Sequence, residues 1–248
     1  MHVKVVSYNI HRAIGVDRRF RPRRVSEILR HHDADIVLLQ EVDEGVPRSR
    51  ELDLAREFAV DLDYPHYAVG HNVALRKGRY GNATLSRFPI LRERNIDLTI
   101  DGRKRRGCQH TTLEIERVAG QPQHLEVFNL HLGLSARERA RQIGRLVHSQ
   151  EYAGLDPRRP SLIGGDFNDW RGRLHPIFTE ILDFACATRR RSQGHSFIRT
   201  FPSFSPTGGL DRLYYRGPIR LVWARPCRLA ASRMASDHLP VIAEFVLR

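Results

Sequence analysis

Three cysteines in 248 residues, Cys108, Cys186 and Cys227, are too few and too widely spaced for a disulfide framework or a thiolate zinc site. No apolar run approaches the roughly 18 residues of a membrane-spanning helix. The first nine residues read directly as a strand, without the basic, apolar and small-residue order of an export leader. A cytoplasmic location is therefore the expectation. Serine- and glycine-rich linkers, internal repeats and low-complexity tracts are also missing, so residues 1–248 are read as one domain. Lysine is nearly absent as well, with only Lys4, Lys77 and Lys104 among 41 basic residues.

What the chain does have is arginine and an excess of positive charge. Its formal net charge is +13, which suits phosphate in nucleic acid, anionic lipid or a small metabolite. A planar guanidinium grips phosphate oxygens through a fork, where an ammonium acts as a point charge.

Short runs rich in Val, Ile, Leu, Phe and Tyr recur at 3–10, 35–42, 66–74, 82–86, 108–117, 124–132, 160–168, 211–216, 219–224 and 240–247, and read as strands. Helical patterns fall at 22–32, 51–62, 135–152 and 176–185. Helices at only some of the connections predict a mixed α/β architecture with two sheets. Ser135 and Glu138 form a capping-box pair ahead of the stripe Ala136, Ala140, Ile143 and Val147. Arg137, Arg141 and Arg145 share another face of that helix, which is read as solvated. Residues 189–200 read as a long polar surface loop. The nearby aromatics Phe197, Phe201 and Phe204 are expected to anchor it to the core, with base stacking or lipid contact as the alternatives.

The polar residues that can bind metal or phosphate sit repeatedly at the ends of apolar runs: Asn9 and His11, Glu41, Asn129 and His131, Asp166 and Asn168, Asp237 and His238. If the strands lie side by side, these groups meet at one edge. Amide and carboxylate oxygens are hard ligands suited to Mg²⁺ or Mn²⁺, and histidine beside carboxylate suits proton transfer to or from a phosphoester.

The strings SYNIHRA at 7–13, LLQEVD at 38–43, GNATLSRFPI at 81–90, FNLHLGL at 128–134, GGDFNDW at 164–170, LDRLYY at 210–215 and SDHLPV at 236–241 carry a resemblance to the endonuclease/exonuclease/phosphatase superfamily. They occur in that family's order along nearly the whole chain. The resemblance implies a four-layer α/β/β/α sandwich with two packed mixed β-sheets and a divalent-metal-dependent phosphodiester hydrolase. It implies Asn9, Glu41 and Asp237 beside the metal, Asp166 at the attacking water, and Asn168 holding phosphate and Asp166 in register. It further implies His238 at the scissile phosphate, Asp211 orienting it, and His131 as a second active-site histidine. Arg106 and Asn82 are candidate phosphate contacts. Where the superfamily's abasic-site enzymes carry a second carboxylate, this chain has His11. Nucleic acid is the favoured substrate on charge. The alternatives are a lipid phosphodiester, with peripheral contact to anionic lipid, and a noncatalytic nucleic-acid-binding protein on the same scaffold.

Overall fold

The computed structural model describes residues 1–115, 120, 122–190 and 196–248. Twelve strands form among the described residues. In chain order they are β1 (His2–Asn9), β2 (Ile36–Glu44), β3 (His66–Ala74), β4 (Arg79–Ser86), β5 (Ile90–Asp97), β6 (Gly107–Ile115), β7 (Gln123–His131), β8 (Ser161–Asp166), β9 (Ala185–Cys186), β10 (Asp211–Arg216), β11 (Ile219–Pro226) and β12 (Val241–Leu247). The α-helices are α1 (Pro22–His32), α2 (Leu54–Asp61), α3 (Ala136–Val147), α4 (Gln150–Ala153) and α5 (Ser232–Ala235).

The strands assemble into two six-stranded sheets, β11-β12-β1-β2-β4-β3 and β5-β6-β7-β8-β10-β9. Each is mixed, with one parallel pair, β1 with β2 and β7 with β8, among antiparallel neighbours. Alternation along the strands sends successive side chains to opposite faces and so builds three apolar layers. Val3, Val5, Ile36 and Leu38 meet Leu113, Leu125, Val127 and Leu162 between the sheets. Val25, Ile28, Leu29 and Phe58 of α1 and α2 cover the outer face of the first sheet. Ile143, Leu146 and Tyr152 of α3 and α4 cover that of the second. This is the expected α/β/β/α sandwich. No helix of the described residues is long and apolar enough to cross a membrane.

Local chemistry sets the helix boundaries. Pro22 starts α1 without forfeiting a needed hydrogen bond, and Asp33 ends it in a left-handed conformation. Asp53 caps α2, so this helix begins at Leu54, later than the pattern from 51 suggested. Ser135 accepts from Glu138 N at 3.1 Å, and Ser149 caps a separate α4, splitting the expected 135–152 helix in two. The expected helix at 176–185 is instead a five-residue π-turn, Ile177–Ile181. Asp183, at φ +56°, breaks it, and Ala185–Cys186 then pair with β10. Strand β5 was not expected. For the run read as a strand at 108–117, residues 116 and 117 lie outside the described residues, as do 191–195 of the polar loop.

Candidate active site

Asp166 ends β8 and Asn9 ends β1, so the two sheets bring these side chains together at one edge. Asn9 Nδ2 donates to Asp166 Oδ2 at 3.1 Å, and the Asn168 main-chain N–H donates to Oδ1 at 2.9 Å. His131 Nε2 lies 3.4 Å and His238 Nε2 3.8 Å from the same Oδ2. Behind His238, Nδ1 donates to Asp211 Oδ2 at 2.9 Å, and Thr200 Oγ1 donates to that oxygen too. Asp211 Oδ1 is buried and has no partner among the described residues. The ligand atoms of Asp166, Asp211 and His238 lie within 4.8 Å of one another.

Burial without full pairing decides the charges here. It raises the Asp166 carboxyl to about 6, against the nearby His238 charge. The same burial would lower His238, but Asp211 and Asp166 outweigh it and push the imidazole up to about 10. His131 is held well below the ordinary histidine value, first by burial and then by Arg106. At neutral pH the site therefore holds a cationic His238, a neutral His131 and a carboxylate poised to take a proton.

Glu41 sits on a β-bulge in β2, with φ +58°. It faces Arg12, whose Nε is 3.3 Å from Oε2, and lines a narrow cleft with Asn82, Arg106 and His131. Arg12 was not singled out in the sequence. Its place depends on His11, Arg12 and Ala13 having φ of 46°, 61° and 57°. Three successive left-handed residues without glycine are costly, about 1–2 kcal/mol each, and follow no hydrophobic pattern. Asp237 lies to the side, 3.9 Å from His11 Nδ1 and bonded by Ser236 Oγ. Neither Glu41 nor Asp237 belongs to the Asp166–Asp211–His238 cluster.

Other expected positions take different work. Both Nδ2 hydrogens of Asn82 are engaged, with Gly107 O at 3.2 Å and Asn129 O at 3.0 Å, leaving none for phosphate. In this arrangement Asn82 ties the sheets together. Asn129 does the same in reverse, donating to Leu39 O and Ala83 O and accepting from Gln40 Nε2. Asn168 Nδ2 donates to Leu132 O, fixing the turn after His131. Arg106 is buried, and its Nε has no hydrogen-bond partner among the described residues. A cavity of about 860 Å³ lined by Phe184, Cys186, Tyr215 and Leu221 includes none of these groups.

A four-layer sandwich with paired histidines and carboxylates at the meeting edge of its sheets defines a hydrolytic phosphoesterase. The sequence pattern of the Endonuclease/Exonuclease/phosphatase family matches residues 6–238, and the chain belongs to that family. It is 33% identical to YbhP of Escherichia coli K12 over 98% of this chain and 96% of that protein. An endonuclease/exonuclease/phosphatase from Beutenbergia cavernae superposes with a TM-score of 0.79 at 21% identity, over 99% of this chain and 72% of that one. A mannosyl-6-phosphatase of Bacteroides thetaiotaomicron does so with a TM-score of 0.74 at 19% identity, over 99% of this chain and 100% of that one.

Proposed function

We propose that residues 1–248 form one catalytic domain of a cytoplasmic, divalent-metal-dependent phosphodiester hydrolase. The observation that carries this reading is the convergence of Asn9, His131 and His238 on a single oxygen of Asp166, with Asp211 behind His238. Ionised Asp166 accepts the proton of an attacking water, while the cationic His238 Nε2–H faces the phosphoryl oxygens as their charge builds. Asp211 keeps that imidazole charged and oriented. Neutral His131 and cationic Arg106 complete the wall of the cleft, with Arg106 toward the phosphate. Asn168 positions Asp166 through its main-chain N–H.

The residues present fit a hard cation. Glu41, Asn9 and Asp237 offer hard oxygen donors, Glu41 being ion-paired with Arg12 at 3.3 Å. We assign these three residues to Mg²⁺ or Mn²⁺, whose charge offsets that of the phosphoryl group.

Charge alone puts nucleic acid first as the substrate. A specific observation supports the second reading, a lipid phosphodiester: Leu134, Trp170 and Phe204 are exposed on the loops around the site. A noncatalytic role gives no reason to bury Asp166 against two histidines. The test is hydrolysis of bis(p-nitrophenyl) phosphate with EDTA, then with Mg²⁺ or Mn²⁺ restored. Loss and recovery of turnover are expected, and full activity in chelator would remove the metal assignment.

A further inference from the structure

Three large apolar side chains stand exposed on three loops at the catalytic edge. Leu134 (75% exposed) follows the end of β7, Trp170 (55%) follows the end of β8, and Phe204 (63%) lies in the turn of residues 201–208. These loops are fastened to one another and to the site. Buried Arg139 donates through Nη1 to Leu134 O at 2.6 Å, and its Nη2 lies 3.5 Å from Asp169, the neighbour of Trp170. The Trp170 ring packs edge-on against Phe201 at 5.6 Å, and Phe201 lies 5.0 Å from the His238 ring. A Cβ at position 208 would come within 2.6 Å of the indole, so a larger residue there would have to displace the ring. The rim is thus fixed relative to the reacting groups.

Its charges are one-signed. The exposed charged residues of 133–137, 169–173 and 199–208 are Arg137, Arg171, Arg173 and Arg199, while Asp169 is buried. A nucleic-acid strand would use the arginines and could stack on Trp170, but it offers little to an isolated leucine. An anionic bilayer accommodates the whole set: leucine and phenyl groups enter the acyl boundary, the indole sits at head-group depth, and guanidinium groups meet lipid phosphates.

We propose that this rim docks the protein on an anionic phospholipid bilayer, presenting a lipid phosphodiester to Asp166 and His238. The second half of that statement rests on the second, lipid-phosphodiester reading; the docking itself does not. The experiment is co-sedimentation of the Asp166→Asn chain with phosphatidylcholine vesicles, with and without phosphatidylglycerol. Binding is expected to need phosphatidylglycerol and to fall at least about tenfold in Leu134→Ser/Phe204→Ser, whose thermal melting should match the parent. Vesicles should also blue-shift the tryptophan fluorescence, and Trp170→Phe should abolish the shift although Trp223 remains. Undiminished binding by the double variant, or a shift that survives Trp170→Phe, overturns the proposal. So does duplex-DNA binding that falls by the same factor, which would assign the rim to nucleic acid. Failure of the unaltered protein to hydrolyse bis(p-nitrophenyl) phosphate would instead count against the phosphodiesterase reading and leave the docking result standing.

Discussion

At one end of the layer between the sheets, Val3, Val5, Ile36, Leu38, Leu113, Leu125 and Val127 pack as hydrocarbon. At the other end, the same inward-facing rows carry Asn9, Gln40, Gln109, Asn129 and His131, all buried. The alternation that makes the strands is unchanged along each row; only the chemistry changes. The dry end needs no particular partner for each atom, whereas each buried amide or imidazole at the wet end must find one or cost stability. That requirement fixes the geometry which the site then uses.

The sharpest break in this comparison comes from the wet end. Asp166→Asn and His238→Ala are each expected to lower turnover at least about 100-fold while the protein remains folded, as steady-state kinetics and circular dichroism would show. At the dry end, Leu125→Ala should cost about 2–5 kcal/mol in urea unfolding and leave turnover per folded molecule intact. Asn129→Leu tests the contrast directly. Removing one partner from the Gln40 amide, which keeps Leu38 O, and one from each of two carbonyls should cost about 1–3 kcal/mol, and turnover should fall with stability. If this variant lost only stability, like Leu125→Ala, the two ends would not differ as argued.

The smallest effect lies in pH. Asp166 must be ionised and His238 protonated, so turnover should rise through about pH 6 and fall through about pH 10. Asp211→Asn removes the largest influence that raises His238. It should move the upper limb downward and, because the Asp211 charge also raises Asp166, draw the lower limb downward as well; an unmoved upper limb would deny Asp211 that role.

Much of this was legible from residue order. Asp166, His131 and His238 each end or adjoin a strand whose hydrophobic run is plain, so their convergence followed from pairing the strands, whereas Asp211 came only from the family resemblance. Strand β5 was not legible, because Arg92, Glu93 and Arg94 are all exposed on an edge strand and erase the period-2 signal. Arg12 was hidden for another reason: its position comes from left-handed backbone, which non-glycine residues rarely adopt and no spacing announces. Asn129 and Asn82 carried the right chemistry for a phosphate site but spend it on backbone carbonyls across the sheets, a choice that only the tertiary fold makes. Phe197 met the expectation of a loop anchor, packing 3.6 Å from the Arg212 guanidinium.

Those crossed amides have a consequence for recombination among related genes. Aliphatic faces tolerate exchange with any residues of similar bulk, since hydrocarbon contact has no direction. Asn82 and Asn129 each reach for a carbonyl in the other sheet, and Gln40 in the first sheet donates to Asn129 in the second. A chimera that takes β2 and β4 from one parent and β7 from another inherits half of a lock. Segments should therefore recombine freely at the far end of the sandwich, while at the catalytic edge positions 40 and 129, bonded side chain to side chain, must travel together.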